Sequence, residues 1–304
     1  MSGEPEDAVL VPGGTFRMGS DDFYPDEGPV HERTVASLWV DRHPVTTAQF
    51  ARFVADTGHV TVAERPLPEA DLPGSTPAER APGSLVFTPT AGPVDLRDWR
   101  RWWRWQPGAQ WRHPEGPGST VAGREHHPVV HVTVDDAQAY ARWAGRRLPT
   151  EAEHEHAARG GLDGAPFAWG DVPYPGGEPR AHTWLGRFPY EHRGPHGPTT
   201  APVGSYPANG YGLLDMIGNV WEWTTDLYTP RHVRPGTRPV DAGDRPSLLA
   251  GGAEPASEVP RRVLKGGSYL CSPDYCLRFR PAARSPQADD TSSTHIGFRC
   301  VRDA

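Results

Sequence analysis

Proline and glycine set the first limit on this chain. Its 304 residues include 35 Pro and 34 Gly. Proline breaks helix and sheet ladders, and glycine gives up chain entropy wherever it is ordered. Long helices and long strands are therefore excluded. The chain also holds 11 Trp, 9 Tyr and 9 Phe, too many aromatics for a disordered composition. The expected object is compact, loop-rich and held by aromatic packing. Such a fold must satisfy many backbone groups outside regular ladders, and bound metal ions are one way to do so. The length suits one large domain or two modest ones. No boundary and no repeat of fixed period is visible, so a single α+β domain over residues 1–304 is expected.

Charge narrows the function. The formal net charge of -7 argues against a general nucleic-acid binder. One cluster, Trp99 to Trp105 (WRRWWRW), interleaves Arg with Trp and could stack bases or clasp an acidic partner. The acidic total favours a surface segment with half-buried indoles. No stretch is apolar enough for a membrane helix. The start, MSGEPEDAVLVPGG, lacks a signal pattern. No membrane role and no cleaved leader are expected.

Local patterns place a few elements. Val11 to Gly19 reads as a turn and a short strand, and Thr34 to Val40 as a second strand. Thr46 to Thr57 reads as a helix with Phe50, Phe53 and Val54 on one face and Gly58 as its stop. Thr133 caps a second helix with Ala137, Tyr140, Ala141 and Ala144 inside. Thr150 and Glu153 form the capping box of a third. His154 and His156 lie on nearly opposite faces of that helix and cannot share an ion. Residues 64–127 are Pro-rich and irregular, so they are either functional or wrapped around a core built elsewhere. Residues 229–260 read as a surface excursion.

Two constellations carry chemistry. Cys271 and Cys276, two of only three cysteines, allow three readings. A disulfide over so short a loop would stabilise little. Zinc wants four ligands, and Cys300 alone does not complete the set. A soft, low-coordinate ion such as Cu(I) is satisfied by two or three thiolates, and Arg278, Arg280 and Arg284 nearby would favour ionised sulfur. On spacing alone, inert cysteines and a copper site stand level. The second constellation is Asp215, Asn219, Glu222 and Asp226, hard oxygen donors beside Trp221 and Trp223. It suits Ca²⁺ or a plain acidic turn.

A run of motifs then resembles a known family. GGTFRMGS (13–20), HPVTTAQFARFV (43–54), HPVVHVTVDDAQAYARWAGRRLPTEAE (127–153), FAWGD (167–171), NGYGLLDMIGNVWEW (209–223), LKGGSYLCSPDYC (264–276), RPAARS (280–285) and IGFRC (296–300) occur in that order. Together they resemble the formylglycine-generating enzymes, or sulfatase-modifying factors, over about residues 10–302. The resemblance implies a single C-type-lectin-like domain with little regular structure. It implies a copper-dependent oxidase that uses O₂ to convert the cysteine of a Cys-x-Pro-x-Arg segment in an unfolded sulfatase to Cα-formylglycine. Cys271 and Cys276 would be the copper ligands, with the substrate cysteine as a third. Ser268, Trp221, Tyr275 and Arg284 would complete the catalytic pocket.

The resemblance also implies a calcium site of Asp215, Gly218, Val220 and Glu222. A second calcium site is expected to be lost or altered, because His182-Thr183-Trp184 is followed by RGPHGPT without a carboxylate. His154 and His156 stand where the family has Trp and Tyr, and His295 where it has Asn. Cys300 lacks the disulfide partner of secretory relatives, Ala158 standing there instead, so a reducing, cytoplasmic setting is expected; a monomer is expected as well. The substrate thiol must lose its proton to bind, so activity should rise toward alkaline pH. The alternatives are the same copper site acting on another peptide or a small thiol, and a non-catalytic lectin-like module.

Overall fold

A computed structural model describes residues 7–69, 73–232 and 259–304. Most of the segment read as an excursion, 233–258, lies outside the described residues.

The strands are short, as the Pro/Gly density requires. β1 (Ala8–Val11), β4 (Leu38–Asp41) and β13 (Val301–Asp303) form one antiparallel sheet with β4 in the centre. β2 (Gly14–Met18) and β3 (His31–Val35) form a hairpin-like pair. The stretch 34–40, expected as one strand, is thus two. Chain direction changes at Ala36-Ser37, and Gly13 N donates to Ser37 Oγ at 2.9 Å, closing the corner. A Cβ on Gly13 would stand 2.6 Å from the Ser37 nitrogen, so the corner demands glycine.

Three helices follow their caps. α1 (Thr47–Thr57), α2 (Val134–Trp143) and α3 (Glu151–Arg159) each begin with a capping box, from Thr46/Gln49, Thr133/Asp136 and Thr150/Glu153. Two orphan N–H groups are satisfied at each start. Gly58 and Gly160 end α1 and α3 in the left-handed conformation that glycine adopts without strain. Phe50, Phe53 and Val54 are buried. Phe50 packs against Tyr140 of α2, with ring centres 6.1 Å apart, and against Trp111 at 5.3 Å. Ala137, Tyr140 and Ala141 are buried too, and Ala144 is the C-cap residue.

The third layer is a four-stranded sheet in the order β11 (Arg284–Ala288), β10 (Arg261–Lys265), β9 (Trp221–Leu227), β12 (Ile296–Gly297). α3 lies on this sheet through buried ions. Glu155 accepts from Lys265 Nζ of β10 at 2.9 Å, from Arg159 at 2.7 Å and from the Gly19 N–H at 2.8 Å.

The Pro-rich middle is not bare loop. β5 (Gly83–Phe87) pairs with β6 (Trp103–Pro107), Phe87 opposite Trp103. β5 is tied to the chain's far end, since Leu85 bridges Ser293 and Ser84 Oγ donates to Ser292 O at 2.8 Å. A small ribbon, β7 (Gly186–Arg187) with β8 (Glu191–His192), lies next to it in the aromatic layer. Trp184 and Phe188 of this stretch pack on Phe87 and Trp102. Among the described residues no helix is long and apolar enough to cross a membrane.

Candidate active site

The GGSYLCSPDYC stretch follows β10 and folds back on itself. Gly266 and Gly267 have φ of 90° and 75°, and a Cβ on Gly267 would meet the Arg278 carbonyl at 2.7 Å. Glycine is required here because the loop's start and end touch. The Ser272 carbonyl accepts from Tyr275 N at 3.1 Å and Cys276 N at 2.7 Å. This turn sets the two sulfurs face to face. Cys271 Sγ and Cys276 Sγ are 3.7 Å apart and not bonded. A disulfide would need about 2.05 Å.

The two thiols are shifted in opposite directions. Burial pushes the Cys271 thiol well above its ordinary range, with the neighbouring sulfur adding to the shift. Cys276 is held below its range by the hydrogen bond from Cys271. Burial opposes this, and the charges of Arg278 and Arg280 assist it. Ser268 N–H donates to Cys271 Sγ at 3.4 Å. Both shifts act in one sense: the proton is held more tightly on Cys271 than on Cys276.

These sulfurs border a cavity of about 180 Å³. Ser268, Trp221, Tyr275 and Arg278 line it with them. The Pro-rich middle supplies a wall of Trp99, Trp102 and Trp103. Phe188 stacks on Tyr275 with ring centres 4.4 Å apart and planes at 4°, and Trp102 meets Tyr275 edge-on at 5.5 Å. The indoles of WRRWWRW thus divide: Trp102 is buried, Trp99 and Trp103 are half-buried in the cavity wall, and Trp105 faces outward. His295 also lines the cavity. Its ring lies 4.8 Å from Trp103, Nδ1 pairs with Ser293 Oγ at 2.8 Å, and burial depresses its pKa to about 3, so it is neutral.

Arg284 is placed elsewhere. It does not line the cavity. It forms an ion pair with Glu151 at 2.8 Å and donates to the carbonyls of Asp26 and Thr229. The expected catalytic set therefore splits into five residues around one cavity and one residue in the supporting ion lattice. Sequence reading missed the other half of that lattice. Asp26 bonds Arg278 through both oxygens, and Glu27 bonds Arg280 through both, with Glu27 and Arg280 fully buried. The signal was the acidic DEG turn at 26–28, but its partners lie some 250 positions away.

A soft monovalent metal fits the two sulfurs. The two unlinked sulfurs beside open space would hold such an ion and leave room for a third donor. Among the described residues no group of three or more His, Cys, Asp or Glu side chains could hold a metal ion. A third donor would therefore come from outside the pair.

The Asp215 loop gives a mixed answer for calcium. Asp215 (φ 51°), Gly218 (φ 78°) and Asn219 (φ 58°) curl the backbone tightly. Asp215 Oδ2 accepts from Gly204 N at 2.7 Å, while its Oδ1 is buried without a partner. An orphaned carboxylate oxygen fits a cation. Glu222 is not an open ligand. Arg299 donates to both its oxygens at 2.7 and 2.8 Å, and His154 Nε2 bonds it at 3.1 Å. Val220 is buried. Asp226 is spent on the Glu151 N–H, and Asn219 bonds Ala201 at both N–H and carbonyl. His156 Nε2 donates to Pro12 O at 2.9 Å, so the two histidines of α3 serve separate partners. In the other expected calcium region His182 donates to Thr199 O at 2.6 Å and stacks on Tyr206.

With this geometry in hand, comparison decides the family. Residues 2–304 match the family described as the sulfatase-modifying factor enzyme 1-like domain. The chain belongs to the sulfatase-modifying factor family. It is 60% identical to the formylglycine-generating enzyme of Mycobacterium tuberculosis over 97% of both chains. It is 45% identical to that of Streptomyces coelicolor, over 97% of this chain and 89% of that one. This sulfatase-modifying factor is also 36% identical to the inactive Cα-formylglycine-generating enzyme 2 of Mus musculus, over 99% and 88%. Family membership alone thus does not settle catalysis, and the cysteine pair has to be weighed separately. Among solved structures, PvdO from Pseudomonas aeruginosa superposes with a TM-score of 0.61 at 24% identity, over 98% of this chain and 94% of that one. This agrees with the α+β fold.

Proposed function

We propose that the chain is a formylglycine-generating oxidase. It converts the cysteine of a Cys-x-Pro-x-Arg segment in an unfolded sulfatase to the aldehyde, with O₂ as acceptor and Cu(I) held by Cys271 and Cys276. The observation that carries this reading is the unlinked sulfur pair, 3.7 Å apart at the edge of a cavity with room beside it. In balance, the peptidyl CH₂–SH plus O₂, two electrons and two protons gives the aldehyde, hydrogen sulfide and water. A thiol reductant supplies the electrons.

Copper, once bound, supplies the electron exchange with oxygen that no side chain offers. The rest falls to the chain's own residues. Cys271 and Cys276 would each give up a thiol proton as the pair becomes two ligands. Ser268 N–H steadies the Cys271 sulfur. Trp221, Trp102 and the Phe188–Tyr275 stack keep water from the reacting carbon. The half-exposed Trp99, Trp103 and Gln287 mark where the peptide enters. Three unpaired cysteines suit a reducing, cytoplasmic setting.

The test is an anaerobic Cu(I) titration of wild type and Cys276→Ala, followed by an oxygen-dependent assay on a Cys-x-Pro-x-Arg peptide. One equivalent bound by wild type, none by the variant, and peptide turnover support the reading. Copper uptake without turnover points to another peptide or thiol. No uptake leaves a lectin-like module.

Calcium at the Asp215 loop belongs to the same proposal. Asp215 Oδ1 would be its side-chain ligand, with the Gly218 and Val220 carbonyls. Glu222 would contribute only lone pairs left over by Arg299 and His154. Binding to the folded state alone stabilises by mass action. Millimolar CaCl₂ in place of EDTA should therefore raise Tm by several degrees, about 3 kcal/mol at a hundredfold excess over Kd. Asp215→Asn should abolish the rise.

A further inference from the structure

The charge around the sulfur pair is one-sided. None of the residues lining the cavity is Asp or Glu. A monovalent cation with two thiolates sums to one negative charge, and a third thiolate doubles it. A desolvated anion of that size needs a matching positive group.

Two arginines closely follow the cysteines in sequence, and a third, Arg261 of β10, lines the cavity and is half-buried. Arg280 is spent on Glu27 and does not line the cavity. Arg278 does line it, and is held from several sides. Its guanidinium donates to Asp26 at 3.0 and 3.3 Å and to the Arg284 carbonyl, and it lies 4.1 Å over the Tyr24 ring. The Tyr24 hydroxyl in turn accepts from Leu277 N at 3.0 Å. Asp26 sits in a 3-10 turn, Pro25–Glu27, and is not among the lining residues. Of that pair only Arg278 borders the cavity, and its charge acts on Cys276.

We infer that Arg278, pinned by Asp26 and Tyr24, is the counter-charge of the thiolate-rich centre, and that it matters more once the substrate sulfur is present. This rests on the copper reading above. Removing the charge and removing its pin then have different signs. Arg278→Met withdraws positive potential from the sulfurs. Asp26→Asn withdraws the opposing negative charge and leaves Arg278 bonded to the Arg284 carbonyl and the Tyr24 ring.

The experiment measures anaerobic Cu(I) affinity by competition with a chromophoric chelator. It then measures binding of two peptides to copper-loaded protein, Cys-x-Pro-x-Arg and its serine counterpart. Arg278→Met should weaken Cu(I) about tenfold or more, and weaken the cysteine peptide by at least as much again. The serine peptide should change less than about threefold, and Arg278→Lys should restore most of the loss. Asp26→Asn should bind Cu(I) as tightly as wild type or more so. Equal losses for both peptides, unchanged Cu(I) affinity in Arg278→Met, or a loss in Asp26→Asn matching that of Arg278→Met would each overturn the inference. If Arg278→Met does not fold, the Asp26→Asn affinity decides alone. A wild type that takes up no Cu(I) removes the copper reading itself. A wild type that binds while Arg278→Met binds equally removes only this inference.

Discussion

Cys271→Ser is expected to lower peptide turnover on the order of a thousandfold or more, because the two sulfurs act as one unit. The argument turns on how little else changes. Serine keeps the shape and can still accept from Ser268 N–H. Its hydroxyl can still exchange a hydrogen bond with Cys276, as the thiol does. Exchanging one buried, hydrogen-bonded group for another should cost roughly 1–2 kcal/mol, a Tm shift of a few degrees. Copper uptake should vanish, since a hydroxyl keeps its proton at neutral pH and is a hard ligand. Equal turnover in the serine variant would end the proposal that both sulfurs act. A collapse in Tm would recast Cys271 as a packing residue.

Glu155→Gln should have the largest effect on stability. Glu155 is fully buried between Lys265 and Arg159, and these charges outweigh its burial, holding its pKa down at about 2. The amide removes the charge and leaves Lys265 buried with Glu151 3.8 Å away. The expected loss at pH 7 is about 3 kcal/mol, from the depression of the carboxyl and the cost of a broken buried pair. The pH sign follows. A depressed carboxyl stabilises fully above its unfolded pKa, near 4.5, and loses that contribution as pH falls toward about 2. Denaturant midpoints of wild type and Glu155→Gln should therefore differ most at neutral pH and converge between about pH 4.5 and 2. A gap independent of pH would place the effect in packing instead.

That residue also shows where sequence reading stopped. His154-Glu155-His156 is recognisable as a helical triplet, and helix geometry alone rules out a shared ion. What the triplet does instead depends on Lys265, Glu222 and Pro12, none of them near it in sequence. The caps at Thr46, Thr133 and Thr150 were legible because a capping box is local. The β5–β6 pairing was not, because it is pinned by residues 292–294 rather than by its own pattern. The division at Ala36-Ser37 was hidden for another reason: apolar Val35 and Leu38 flank the corner, and neither of its residues is Pro or Gly. Cys271, Cys276, Ser268, Trp221 and Tyr275 could be placed together from motif resemblance. Arg284 could not be separated from them, since three arginines at short spacing look alike until their carboxylates are known. Asp26 and Glu27 gave no such sign, because an acidic turn has many uses.

The cavity draws on residues near 100, 188, 221, 271–278 and 295, and its arginines depend on a turn near residue 26. The last strand, Val301–Asp303, lies against β4 at the other end of the chain. Synthesis must therefore have passed His295 before the cavity can form. The emerging N-terminal half cannot begin work early, and its unpaired Asp26 and Glu27 stay in water until their arginines arrive.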